Sequence, residues 1–228
     1  MSDAPPSDAD PDPGAVPPAP TGTRGALIRA GLHLFGKTGF AATSTRELAE
    51  AAGTNVASIA YHFGGKDGLR RACVEEVARR FQAVLGPGPA PLPDDLPAAA
   101  AHARLAFLTT AMIRFLLGRG DGEEVPAFLL REVLGEPALL DIVYDRVIAP
   151  RHADLCALWG RASGQDPDSP AVRLGVFAHL GQILYFRLGA AIVTRRMGWD
   201  GYGPAEIAAV EARILATLNA ALSRGDPP

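Results

Sequence analysis

From Thr23 onward the apolar residues fall on one helical face, with Leu27, Ala30, Leu34 and Phe35 at spacings of three, four and seven to eight. Gly39 closes this first helix. Thr43, Ser44 and Thr45 then offer N-cap hydroxyls, and Leu48, Ala49 and Ala52 mark a short second helix stopped by Gly53. Val56–Phe63 reads as a third helix, ended by Gly64 and Gly65. A fourth and longer one starts near Lys66 and Asp67 and turns Leu69, Cys73, Val77 and Phe81 inward. No helix crosses GPGPAPLPDDLP, 86–97, because each proline removes a donor and its ring clashes with the preceding turn. Beyond it every segment has the helical period: 97–118, 123–135, 137–162 with a kink or break at Pro150, 169–197 and 204–223. No strand alternation and no internal repeat is found, so the fold class is all-α. The pattern divides the chain into an N-terminal helical domain at 22–84, a linker at 85–96 and a C-terminal helical domain at 97–224. Residues 1–21, rich in Pro, Asp and Ala, cannot bury apolar surface and are expected to form a disordered tail.

Composition sharpens this picture in two places. The 228 residues are 48% hydrophobic, enough for a sizeable core, and the net charge is only −3. That charge is uneven. Residues 22–82 hold nine Lys and Arg against five Asp and Glu, a net of +4, whereas 1–21 carries four Asp and no base. An anionic partner would therefore meet the N-terminal helices. Cys73 and Cys156, far apart, form no disulfide framework and fit a reducing cytoplasm. The opening MSDAPPSDADPDPG has neither the basic nor the apolar region of a signal peptide. The apolar run 174–193 is long enough to span a bilayer, but His179, Gln182 and Arg187 interrupt it, so a helix buried in protein is expected and no membrane partner.

The N-terminal helices meet the requirements of a helix-turn-helix. A small residue sits where the helices cross (Ala49), a residue tolerant of positive φ sits in the turn (Gly53), and a branched apolar residue points back (Ile59), at offsets 0, +4 and +10. With Gly53 at the turn, the second helix of the pair starts near Asn55 and turns Asn55, Ala57, Ser58, Tyr61 and His62 outward. These groups suit base edges and phosphate oxygens in a major groove: Asn55 can pair with adenine through both amide atoms, and Ala57 can meet a thymine methyl. Tyr61, His62 and Lys66 lie at the far end, where phosphates flank the groove. Thr43, Ser44 and Thr45 put hydroxyls at the start of the preceding helix, whose dipole favours a phosphate, and Arg46 adds charge there. The expected partner is double-stranded DNA, bound through Thr43, Ser44, Thr45, Arg46, Thr54, Asn55, Ala57, Ser58, Tyr61, His62 and Lys66, with an affinity that weakens in salt.

The run from Leu34 to Phe40 (LF-x-x-x-GF), TSTRELA at 43–49, AAG at 51–53 and YHFGGK at 61–66 together resemble the DNA-binding domain of the TetR family of bacterial transcriptional repressors. The resemblance implies that Tyr61, His62 and Lys66 clamp phosphates while residues 54–58 face the groove. Ala60 departs from the aromatic residue common in the family, and Thr54 from its usual Val. LLREVLGEPALLDIVYDRVIAPRH, 129–152, and LGQILYFRLGAAIVTRRMGWDGY, 180–202, resemble the CecR-like branch of that family. This implies a homodimer in which 169–197 and 204–223 pair with their copies. Gly175, Ala178, Gly181 and Gly189 would permit close approach there, and Leu174, Phe177, Ile183 and Leu184 would supply area. It also implies a small-molecule inducer, expected to be lipophilic, in a cavity between 97–118, 123–162 and 169–190. Candidate lining residues are Arg114, Phe115, Phe128, Arg131, Tyr144, Trp159, His179, Gln182 and Tyr185. Ligand binding would swing helix 66–84 and move the reading helices apart.

Other chemistries find little footing. His152 and Cys156, four apart on a helix, make half a metal site with no second pair at metal spacing, so no metal and no cofactor are expected. FGGKDG, 63–68, lacks the first glycine, the spacing and the hydroxyl of a phosphate loop, and no nucleophile elbow or dinucleotide fingerprint is present. The rival reading is a helical carrier or enzyme that kept a vestigial DNA-binding domain.

Overall fold

The computed structural model describes residues 21–86, 92–118, 124–134 and 140–223. Every regular element among them is helical: α1 (Gly22–Thr38), α2 (Thr45–Ala51), α3 (Val56–Phe63), α4 (Lys66–Leu85), α5 (Ala98–Leu117), α6 (Glu124–Leu134), α7 (Leu140–Val143), a π turn (Tyr144–Ile148), α8 (Ala149–Ser163), α9 (Pro170–Leu188), α10 (Ala190–Met197) and α11 (Pro204–Ser223). Residues 1–20 of the expected tail and residues 87–91 of the proline-rich break lie outside the described residues.

The N-terminal helices close over Leu27, Ile28, Leu32 and Phe35 of α1, Leu48 and Ala49 of α2, Ile59 of α3, and Leu69, Cys73 and Val77 of α4, all buried. Burying the Leu, Ile, Val and Phe side chains among them stabilises by about 1.5–3 kcal/mol each. The body packs α5 against α8, α9 and α11, with Leu105, Ile113, Leu158, Val176, Ile183 and Ile214 at its centre. α5 is long and apolar enough to cross a bilayer, but most of it is buried against its neighbours, as a core helix would be.

Two expected helices differ in the structure. The segment expected at 137–162 with a kink or break at Pro150 has its irregularity just before the proline, as a π turn. Its described part is α7, the π turn and α8, with Pro150 in the first turn of α8 and residues 137–139 outside the described residues. The Ala149 N–H reaches back five residues to the Tyr144 carbonyl. This wider turn accommodates the proline ring and its missing donor, which a regular helix at that depth does not. The segment expected at 169–197 is two helices, α9 and α10, bent by 73° at Gly189. There the Tyr202 hydroxyl donates to the Phe186 carbonyl at 2.8 Å, occupying the acceptor that the Ala190 N–H needs to continue the helix.

Head and body are tied by α6, which lies across α1. Arg131 donates from Nε to the Gly36 carbonyl at 2.8 Å and from Nη2 to the Lys37 carbonyl at 2.7 Å, satisfying the end of α1. Next to it, Glu132 forms a buried ion pair with Arg70 of α4 at 2.8 Å.

A buried histidine gives the body a pH response. His179 on α9 is 4% exposed, shares a 2.9 Å hydrogen bond with the Thr109 hydroxyl and lies edge-on to Trp159. Burial pulls its pKa from 6.5 to about 4. The unfolded chain takes up this proton as pH falls through 6.5, and the folded chain takes it up only near 4. The stability contributed by keeping the ring neutral is complete above pH 6.5 and is lost progressively down to about pH 4, a change of about 3 kcal/mol. Urea melts of wild type and His179→Asn between pH 7 and 4 should show this component of the acid sensitivity disappear in the variant.

Candidate nucleic-acid interface

α2 begins with a capping box. The Ser44 hydroxyl accepts from the Glu47 N–H at 3.1 Å, and the Glu47 carboxylate accepts from the Ser44 N–H at 2.7 Å. The Ser44 N–H foremost, and the Ser44 hydroxyl after it, hold the Glu47 carboxyl below its usual range. α2 ends in a Schellman motif: the Thr54 N–H reaches the Ala49 carbonyl at 2.9 Å, and the Gly53 N–H reaches Glu50 at 3.0 Å. That motif needs a left-handed residue, and Gly53 supplies it at φ 63°. The chain then re-enters α3 at a fixed angle, with Ile59 its one fully buried side chain.

The opposite face of α3 is open. Tyr61 is 85% exposed, with His62 edge-on to it at 5.0 Å, and Asn55, Ala57 and His62 are exposed too. Arg46 is exposed on α2, and Thr45 is half-buried beside it. Lys66, at the start of α4, sits over the Phe40 ring at 4.3 Å, and Arg70 lies over the same ring at 4.2 Å. Phe40 thus gathers two cations beside α3. Nothing in the sequence pattern marks that role, because it depends on the α1–α2 loop folding back onto α4.

Three groups behave differently from their expected roles. Thr43 is buried, and its hydroxyl is engaged with the Gly39 carbonyl at 2.7 Å and the Thr38 hydroxyl at 2.9 Å, so it ties the loop rather than meeting a phosphate. The Asn55 amide oxygen accepts from the Ser58 N–H at 3.0 Å and the Ser58 hydroxyl at 3.2 Å, capping α3. Pairing with adenine through both amide atoms would have to break that cap. Thr54 and Ser58 share a 2.9 Å hydroxyl contact in the same cluster. A polar side chain just before a helix serves the orphan N–H groups first, which spacing alone did not weigh.

The expected inducer-lining residues do not converge. Phe128 is buried under α1, its backbone N packed against Gly36. Arg131 holds α1, and Arg114 pairs with Glu211 of α11 at 2.7 Å. Trp159 and His179 are packed together in the core. Tyr144 and Tyr185 are about half exposed, and Gln182 accepts from Thr217 on the surface. Phe115 packs edge-on against Phe81 at 5.1 Å, and Phe81 belongs to a cleft elsewhere, of about 200 Å3, between α4 and the π turn. Sequence spacing pointed away from that cleft because the π turn, which carries Asp145, Arg146 and Val147 to it, has no signature in the helical period.

Cys156 lies 3.5 Å from His152 Nδ1, whose ring stacks on Phe177 at 4.0 Å, and burial raises the thiol pKa. Among the described residues no cluster of three His, Cys, Asp or Glu is placed to hold a metal ion.

The described residues thus form a helix-turn-helix head, its second helix open to solvent, on an all-helical body: the architecture of a DNA-binding transcriptional regulator. Residues 27–73 match the family described as bacterial regulatory proteins, tetR family, and residues 101–223 match the C-terminal domain of the HTH-type transcriptional dual regulator CecR. The chain belongs to the TetR family of transcriptional regulators, with a CecR-type C-terminal domain. The HTH-type transcriptional dual regulator CecR of Shigella flexneri is 33% identical over 180 residues, 77% of this chain and 80% of that protein. Solved structures share the fold at lower identity. A transcriptional regulator (TerR/AcrR family) from Aquifex aeolicus VF5 is 12% identical, with a TM-score of 0.59 over 87% of this chain and 99% of that one. AibR, solved in complex with isovaleryl coenzyme A and operator DNA, is 18% identical, with a TM-score of 0.62 over 86% of this chain and 97% of that one.

Proposed function

We propose that the protein is a homodimeric repressor, acting in the cytoplasm without catalytic activity, which binds a palindromic operator through α3 and leaves it when a small molecule occupies the body. The observation that carries this reading is the solvent-facing side of α3, with Tyr61 85% exposed and Lys66 held beside it on the Phe40 ring. Arg46, Tyr61, His62 and Lys66 contact phosphates, and Ala57 approaches base edges. Asn55 and Ser44 hold the two helices in the groove rather than reading it.

The dimer is formed by α9 and α11. Leu174, Phe177, Leu184, Tyr185 and Leu188 are exposed along α9, a run of large apolar side chains that a lone subunit would leave in water. The outer face of α11 beside it is small, with Ala208, Ala209, Ala212 and Ala216 exposed, which lets a second helix approach closely. Gly175 and Ile183 take no part, since Gly175 packs on Trp159 and Ile183 is buried in its own subunit. The described apolar run is the reason to favour a paired regulator over a monomeric carrier.

Ligand control requires a preference of a few kcal/mol for the non-binding state. AibR, solved with an acyl coenzyme A and operator DNA, gives this fold a precedent for holding both. The test is a mobility-shift titration on a bound DNA fragment at several salt concentrations. Lys66→Ala should reduce the salt slope by about 1, and Tyr61→Ala should weaken binding by about 1 kcal/mol or more, with folding unchanged in both. Equal affinities and slopes in the variants would remove α3 and the start of α4 from the interface.

A further inference from the structure

The cleft between α4 and the π turn is built for a particular chemistry. Phe81 of α4, Val147 of the π turn and Pro150 of α8 make an apolar wall. Gln82, Asp145, Arg146 and Arg151 supply the polar side, two guanidiniums against a single carboxylate. Arg151 is only 13% exposed in its side chain, and its carboxylate neighbour Asp154 stands off at 3.4 Å. Its shorter bond, 2.8 Å from Nη2, goes to the Gly86 carbonyl, the residue that follows α4. Burial lowers the Arg151 pKa more than Asp154 restores it, and burial also raises the Asp154 carboxyl, so the pair is weakly matched. A buried guanidinium whose carboxylate partner makes only one long contact, at 3.4 Å, favours an incoming anion, which it can hold with two parallel bonds.

We infer that this cleft binds a small monocarboxylic acid with a short apolar body, its carboxylate on Arg151 and Arg146 and its body against Phe81, Val147 and Pro150. The Gln82 amide stands on the same side as a neutral donor. Asp145 faces the cleft as well and disfavours dianions, which narrows the class to acids with one charge. The site also sits where a ligand can act on the head. Its α4 wall continues into Arg70 and Lys66 beside α3, and an acid on Arg151 competes with the Gly86 carbonyl that anchors the end of α4. The effect on DNA rests on the regulatory reading above; the binding site itself does not.

The test uses the full-length protein and a defined panel at constant ionic strength: butanoate, hexanoate and benzoate, each beside its neutral amide, read by calorimetry and by the shift in Tm. At least one acid should bind, with its amide weaker by tenfold or more. Arg151→Gln should weaken that acid by about tenfold or more, Arg151→Lys by less, and Arg146→Gln should also weaken it, while Arg196→Gln on α10 leaves it unchanged. The site is overturned if no acid of the panel binds, if amides match acids, or if both glutamine variants bind as wild type does. Should Arg151→Gln fail to fold, an unchanged affinity in Arg146→Gln alone overturns it. Adding the bound acid to the protein–DNA complex separates the two readings. Release of DNA supports both. Binding without any change in DNA affinity retains the site and overturns this acid as the inducer, whereas intact DNA binding with no acid bound overturns the site alone.

Discussion

Gly68→Ala is expected to destabilise the protein by at least about 2 kcal/mol and to abolish DNA binding, although alanine is the better helix former by about 1 kcal/mol. Gly68 lies in the first turn of α4, and a Cβ there runs into the Phe63 carbonyl at the end of α3. The obstacle is backbone, and it is held by the left-handed Gly64 at φ 72° and by Gly65 at φ 131°. It cannot swing aside as a side-chain tip would. Making room means opening the corner between α3 and α4, which re-aims Tyr61 and His62 relative to Lys66. Urea melts and mobility shifts on the same preparation check both effects. A variant as stable as wild type and still binding DNA would show that the corner gives way freely.

The second large effect is expected at Glu132. Its carboxylate accepts from Arg70 Nε at 3.0 and 3.1 Å and from Nη2 at 2.8 Å, with side-chain exposures of 3% for the acid and 7% for the base. Removing one partner of a buried pair leaves the other desolvated without its counter-charge, so Glu132→Ala should cost about 3–5 kcal/mol. The pair joins α6 of the body to α4 beside the reading helix, and Arg70 also stacks on Phe40. Glu132→Ala should therefore weaken DNA binding as well as lower the urea midpoint. The double variant Arg70→Met, Glu132→Leu should recover much of the stability, since an apolar pair of similar volume needs no counter-charge. A loss below about 1 kcal/mol in Glu132→Ala would mean that α6 and α4 are not linked through this pair.

α4 carries a second buried carboxylate, Glu76. Burial alone would raise the Glu76 carboxyl, but Arg79 and Arg80 hold it below the ordinary range, at 2.7 and 2.8 Å. Its stabilising contribution is present at neutral pH and is lost as pH falls below the ordinary carboxylate value of 4.5 toward the lowered one.

What could be read from the chain in advance follows how local each cause is. The helix-turn-helix was legible because Ala49, Gly53 and Ile59 act within ten residues of one another, and Gly53 answers a backbone demand that few residues meet. The open face of α3 followed from the same register. The role of Asn55 did not, since spacing places it correctly but does not say that its own helix needs the amide oxygen more than a base does. The pattern offers Arg131 as a ligand group, yet it closes the end of α1, 94 and 95 residues away in sequence. Arg70 and Glu132 are 62 apart, and no local pattern pairs them. The bend at Gly189 was hidden for a related reason: it depends on one displaced hydrogen bond, and the apolar period runs through it without a break. The π turn was marked only by Pro150, which predicts a kink but not its form.

The most direct test of the regulatory account is to select bound duplexes from a random pool with the full-length protein and read their sequences. Two copies presenting α3 about a two-fold axis predict an inverted repeat whose half-sites lie about 34–36 Å apart, or a multiple of that. Enrichment of a single unrepeated motif, or of no sequence at all, would contradict it.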